Sequence, residues 1–224
     1  LVLHTQAMDE HGTDLLALTE YLCPDYCNII ISDARLATNQ MNYLYNSVDA
    51  GILLSSNEGW GLMLTECLLT GTPFIANTTG GMQDQMRFED ENGNWINFSK
   101  DFPSNHKGTY KKCGEWAYPV FPKVNTLVGS IPTPYIFDDI CSTDDAVERL
   151  VELYNTDKNE LSKKGLKGRE WAVSDEAGFT MEHQASRVIE NIDELFETWK
   201  PREKYELLSD TDFKPRTLKH KLVY

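Results

Sequence analysis

Short, wholly apolar runs alternate along the first part of the chain with segments whose apolar residues recur every three or four positions. Leu1-Val-Leu3 reads as a strand. Leu15, Leu18 and Leu22 form a helical stripe within Asp14–Leu22. Asn28-Ile-Ile-Ile31 is apolar throughout, the pattern of a strand covered on both faces. Helical spacing returns at Met41, Leu44, Tyr45 and Val48, and Gly51–Leu54 follows as a strand. Gly61–Thr70 then reads as a helix, Pro73–Ala76 as a strand and Met82–Met86 as the start of a short helix. This βαβαβαβα order predicts an α/β fold, a Rossmann-like open parallel sheet with flanking helices. Ligands of such sheets lie beyond the carboxyl ends of the strands, here after Leu54 and Ala76.

The pattern dissolves from Asn97 to Ile136, where Pro103, Pro119, Pro122, Pro132 and Pro134 mix with Tyr110, Trp116, Tyr118, Phe121 and Tyr135. We expect a long, irregular, Pro- and aromatic-rich insertion over 99–137. It would either frame a ligand or run over the surface pinned by its aromatics. Helices resume at Ser142 or Thr143, with Asp144 and Asp145 suiting the first turn of a segment that runs to Tyr154. Asp157–Val173 is the next helix, and Ser174-Asp-Glu opens a third that reaches about Trp199 before Pro201. Residues 1–199 therefore read as one ligand-binding domain. Residues 200–224 read as an extended C-terminal arm, a strap for a neighbouring domain or a second copy in a homo-oligomer.

Charge narrows the ligand. The chain of 224 residues carries a formal charge of -14. Residues 1–199 hold 14 Lys/Arg against 31 Asp/Glu, and the arm holds 7 against 4. Such a body repels phosphate backbones, so a nucleic-acid partner is not expected. An anionic ligand must be held by local donors. No apolar run approaches the roughly 20 residues of a transmembrane helix, and no signal peptide is read. The abrupt opening strand leads us to expect further sequence upstream. Cys23, Cys27, Cys67, Cys113 and Cys141 are irregularly spaced and odd in number, which points to free thiols in the cytoplasm. Cys23 and Cys27 could offer two zinc ligands with His4 or His11, but the second cysteine pair of such sites is missing.

The candidate chemistry lies in Glu58-Gly-Trp-Gly-Leu-Met-Leu-Thr-Glu66. Gly59 and Gly61 bare the backbone where the chain enters a helix, and a helix start offers unpaired N–H groups to a phosphate. Gly80-Gly81 repeats the device at the next strand end. Glu58 in the loop and Glu66 on the helix would accept hydrogen bonds from sugar hydroxyls, worth roughly 1.5–3 kcal/mol each. On the residues alone, a surface Glu58 and a Glu66 paired with a basic side chain are equally good readings.

The wider string closely resembles retaining glycosyltransferases of family 4, whose fold is GT-B. Glu58-x7-Glu66 with its internal Gly-Trp-Gly is similar to their E-x7-E signature. Tyr45-Asn-Ser-Val-Asp49, Leu54-Ser-Ser56, Thr70-Gly-Thr-Pro-Phe-Ile-Ala76 and Gly80-Gly81 resemble their flanking segments in the same order. Glu91-Asn-Gly-Asn-Trp95 resembles the family's glycine turn, with Asn94 in place of its second glycine. The Pro-rich stretch with Trp116-Ala-Tyr-Pro-Val-Phe-Pro122 is similar to glycosyltransferases of large algal DNA viruses.

The resemblance implies that this chain is the nucleotide-sugar-binding half of a glycosyltransferase. It would transfer a hexose, by best guess mannose from GDP-mannose, to a hydroxyl of a carbohydrate or glycan acceptor, in host cytoplasm if the chain is viral. It implies Glu58 on the donor hexose and Glu66 on the ribose. Backbone groups of Trp60, Gly61 and Leu62 would reach sugar and phosphate, and Gly80 and Gly81 would line the site. Ile31 to Arg35 would lie beside the base, and Thr65 and Ser56 are possible hydroxyl donors. No cofactor or metal is implied, and no Asp-x-Asp is present to bind one. The family's Arg and Lys on the opening strand and helix have no counterpart in Leu1–Glu20, and His4 is the nearest substitute. The N-terminal acceptor domain is likewise missing from the chain, which by itself should transfer little. A non-catalytic nucleotide-sugar-binding or scaffolding module, or another GT-B enzyme such as a sugar phosphorylase or epimerase, are the alternatives.

Overall fold

A computed structural model describes residues 1–9, 12–25, 28–96, 105–129 and 135–201. The chain divides into two compact units, Leu1–Thr180 and Met181–Tyr224. The first is a Rossmann-like α/β unit. In chain order, strand β1 spans Val2–His4, helix α1 Leu15–Leu22, β2 Ile30–Ser32, α2 Thr38–Asn46, β3 Gly51–Leu53, α3 Leu62–Thr70, β4 Phe74–Asn77 and α4 Met82–Met86. Strands β5 (Ala117–Val120), β6 (Pro122–Val128) and β7 (Ile136–Cys141) follow, then helices α5 (Thr143–Asn155) and α6 (Lys158–Ala172). In the second unit, α7 covers Met181–Thr198.

All strands of the sheets run parallel except in one ribbon. β1 pairs with β2, and β3, β4 and β5 form a second ladder in that order. β6 and β7 make the antiparallel ribbon. Central β4 is buried at every position, as a strand with both faces covered must be. Around it pack Leu64 and Leu68 from α3, Met82 and Met86 from α4, and Phe88, Trp116 and Trp171.

Two expectations are corrected. The stretch read as irregular contains β5, the third strand of the main parallel ladder, and β6. Its prolines hid it: Pro119 has no N–H to give and sits on an edge strand, where none is required. Residues 97–104 and 130–134 of that stretch lie outside the described residues, as does the arm from 202 onward.

The other correction concerns Ser174-Asp-Glu, which closes α6 and does not open the next helix. Gly178 N–H donates to the Ser174 carbonyl at 2.7 Å, and Phe179 N–H to that of Ala172 at 2.9 Å. The chain folds back there because Ala177 and Phe179 have core to fill against Trp171.

Candidate functional site

β3 delivers the chain into Ser55–Gly61, and β4 delivers it into Thr78–Gly81, side by side at the carboxyl edge of the ladder. The two loops touch through bare backbone. Gly81 N–H donates to the Glu58 carbonyl at 3.2 Å. A Cβ on Gly80 would stand 2.1 Å from that same oxygen, and one on Gly81 would stand 2.3 Å from the Gly59 carbonyl. Any side chain at either position would push the loops apart. The expectation that Gly80-Gly81 offers a second set of open amides therefore changes: the Gly81 amide is engaged, and the pair acts as a joint.

The helix start next to this joint is that of α3. Gly61 takes φ 83°, a left-handed turn that suits glycine, and Leu62 begins the helix. Leu62 is 73% exposed, and nothing lies within 4 Å of where a Gly59 side chain would be. Gly61 itself is buried against Met82 and Leu53, so the space beside the helix start opens at Gly59 and Leu62, and a helix start carries unpaired N–H groups.

A buried polar brace holds this loop from behind. Gln85, on α4 and fully buried, donates to the Trp60 carbonyl at 2.6 Å and to the Gly61 carbonyl at 3.2 Å. Its Oε1 accepts from the Thr65 hydroxyl at 2.7 Å, and that hydroxyl accepts from the Trp60 indole N–H at 2.8 Å. Thr65 is thus occupied within the protein. The Trp60 ring also stands edge-on to Phe179, 5.2 Å between centroids.

Of the two glutamates, Glu58 is half-exposed in the loop and Glu66 is exposed on α3. Glu66 has found neither the surface alone nor a basic partner. It accepts a 2.6 Å hydrogen bond from the hydroxyl of Tyr45 on α2. Burial, and then the hydrogen bond to Glu66, push the Tyr45 phenol well above its ordinary value of 10.0, so it remains a donor. One carboxylate oxygen is thereby fixed, and the side chain is oriented along the helix. Burial likewise pushes the neighbouring Cys67 thiol up to about 12, which keeps it protonated and makes it a packing residue.

The remaining expected residues lie apart in sequence and ladder. Ile31 is in β2, paired with Leu3 of β1, and Arg35 follows in an exposed loop. Among the described residues no hydrogen bond or ion pair ties Arg35 to the Glu58 loop. His4 ends β1 with its Nδ1 3.1 Å from the Ser32 hydroxyl oxygen. Ser56 contributes a carbonyl that accepts from Asp139 N–H at 2.8 Å.

That last contact belongs to an anchor not foreseen from the sequence. Asp139 of β7 is buried, and its carboxylate accepts from the Thr79 hydroxyl at 2.7 Å and the Asn125 amide at 2.8 Å. Asn77 at the end of β4 donates to the carbonyls of both Ser55 and Asp139. The β6–β7 ribbon is thus pinned to both site loops. Another addition is Asp84 on α4, whose carboxyl burial pushes up to about 6.

Gln85 sits on the core-facing side of α4, where a polar residue was the one signal available for it, and Tyr45 lies in the α2 stripe and in the Tyr45–Asp49 segment already singled out. A cavity of about 610 Å³ lies elsewhere, against β5 and α5, lined among others by Lys111, Tyr118, Phe121, Arg149 and Lys164. Two of its walls are ion pairs, Lys123–Asp145 and Arg149–Glu152. Among the described residues no group of three or more His, Cys, Asp or Glu is placed to hold a metal ion, and Cys27 and His11 lie outside them. No helix among the described residues is long and apolar enough to cross a membrane. No protein-family model and no curated protein matches this chain.

Proposed function

We propose that this chain is the donor-binding half of a retaining hexosyltransferase that uses a nucleoside diphosphate sugar. One observation supports the reading: the loops Glu58–Trp60 and Gly80–Gly81 meet through bare backbone at the carboxyl ends of adjacent parallel strands, next to the start of α3 and two glutamates. In this reading the diphosphate sits on the N–H groups at Gly61 and Leu62, where the helix start favours negative charge. Glu66, oriented by Tyr45, takes ribose hydroxyls through its other oxygen. Glu58 takes hexose hydroxyls and sets the anomeric carbon toward the acceptor. Charge growing on the leaving diphosphate is met by preset amides and not by reorganising water. Ile31 and Arg35 lie toward the base, an upstream domain supplies the acceptor, and GDP-mannose is the preferred donor.

The test is calorimetry of full-length protein against a panel of nucleoside diphosphates and their sugars. Glu66→Ala should weaken nucleotide affinity by about 1.5–3 kcal/mol. An unchanged dissociation constant rejects the ribose role. Glu58→Gln should lower turnover far more than nucleotide binding, and equal losses in both count against a hexose contact.

A further inference from the structure

The loop Glu58–Gly61 has one aromatic side chain, and contacts from both near and far along the sequence hold it. The Trp60 indole N–H donates to Thr65 at 2.8 Å, on the helix that the loop leads into. The far contact is Phe179, whose ring stands edge-on to that of Trp60, 5.2 Å between centroids and 82° between planes. Edge-to-face rings attract through their quadrupoles, so such a pair favours an angle as well as a distance. Phe179 is seated in turn against Trp171, edge-on at 5.3 Å and 78°. The Trp171 indole N–H donates to Glu176 at 2.6 Å, and Arg87 grips both oxygens of that carboxylate through Nε and Nη2, each at 3.0 Å. A two-pronged bond of this kind holds orientation. Arg87 directly follows α4, at a φ of 51° that residues other than glycine seldom take. Since Gln85 of α4 donates to the Trp60 and Gly61 carbonyls, the contacts close into a circuit: loop, foldback, α4 and loop again.

We propose that Phe179 is a positioning residue for the candidate site. Through Trp60 it sets the Glu58–Gly61 loop, and with it the Glu58 carboxylate and the amides that enter α3. Phe179 is half-buried and packs against the main core from its edge. Removing its ring frees one side of Trp60 while the Thr65 and Gln85 bonds remain, so the loop gains a range of positions in place of one. A site that binds through preset geometry loses affinity when its groups must first be ordered. What the loop binds rests on the nucleoside diphosphate reading; what holds the loop rests on the contacts alone.

Hydrogen exchange in the full chain tests the hold on the loop without any ligand. The reporters are the Trp60 indole N–H and the amides of Gly81 and Leu64, which donate to the Glu58 and Gly61 carbonyls. In Phe179→Ala their exchange should quicken roughly three- to tenfold, the worth of one edge-on pair. Phe179→Tyr, which keeps the ring, should restore the parent rates. Leu153→Ala removes a buried side chain of the separate cluster around Ile75 and Val120, and should leave the three reporters level with the rest of the fold. Titration with GDP tests the consequence: affinity should fall roughly three- to tenfold in Phe179→Ala, and not in Leu153→Ala or Phe179→Tyr. Reporter exchange that stays at the parent rate in Phe179→Ala, or quickens equally in Leu153→Ala, overturns the proposal. So does unchanged GDP affinity in Phe179→Ala when the parent binds GDP. A parent that binds no nucleoside diphosphate defeats the nucleotide-sugar reading instead, and the ligand-free exchange still decides the positioning role. Should Phe179→Ala not fold, Phe179→Leu keeps the bulk without the ring, and the same reporters are read in it.

Discussion

Two stretches of this chain have the same pattern of short apolar strand and striped helix, and the structure treats them differently. In β1–α1–β2, α1 buries none of its residues, and Leu16, Tyr21, Leu22 and Ile30 are each more than half exposed. In β3–α3–β4, α3 buries Leu64, Cys67 and Leu68, and β4 is buried throughout. Apolar content does not separate them. Backbone closeness and internal polar partners do: Gly80 and Gly81 let two loops meet, and Gln85, Asn77 and Thr65 satisfy the polar groups that meeting buries. The candidate site therefore sits in the second, buried and internally bonded stretch, while the first buries no helix residue.

The largest effect that would sharpen this contrast comes from Gly80→Ala. Its Cβ would collide with the Glu58 carbonyl at 2.1 Å, at a φ of 50°. We expect a loss of roughly 3 kcal/mol or more by chemical denaturation, against less than about 0.5 kcal/mol for Gly12→Ala in the exposed stretch. Equal losses would erase the distinction. Gln85→Leu removes the side-chain donor to the Trp60 carbonyl and leaves the Gly61 carbonyl with the Leu64 N–H alone, and should cost about 2 kcal/mol. Hydrogen exchange should then quicken at Gly59–Leu62 and not at α1.

His106 offers a pH-dependent version of the test. It is buried beside Phe88, Tyr110 and Phe121, and burial lowers its value from 6.5 to about 4. Between those values the unfolded chain takes up a proton that the folded chain refuses, so stability should fall as pH is lowered from 6.5 toward 4. The loss should be on the order of 2 kcal/mol. Asp84, raised from 3.8 to about 6, works in the opposite direction over its own window. Melts of His106→Gln beside the parent chain isolate the histidine, because the variant should show a shallower acid slope. The smallest effect expected is that of Tyr45→Phe, about 1 kcal/mol of stability from the lost bond to Glu66. In the proposed site this change should also loosen nucleotide binding.

How much of this was readable beforehand depends on what each feature is made of. Elements built on local periodicity were legible: α4 starts at Met82 as expected and ends at Met86, and α3 begins one residue after Gly61. β5 was not, because Ala117-Tyr-Pro-Val120 owes its strand to pairing with β4, a partner 43 residues earlier that no local pattern reveals. The site divides in the same way. Glu58, Glu66 and the glycines stood out through spacing within one segment. Gln85, Asp139 and Asn77 did not, because a buried amide or carboxylate looks like a surface one until its partners across the fold are known.

In the proposed site the α3 amides beside Glu58 and Glu66 hold an anionic donor. Residue-resolved amide shifts during titration with a nucleoside diphosphate test it directly. Saturable shifts are expected at Gly59, Trp60, Gly61 and Leu62 with one dissociation constant, weakened by Glu66→Ala. Shifts confined to the Lys111–Phe121 and α5 cavity, or none at Gly61 and Leu62, would contradict it.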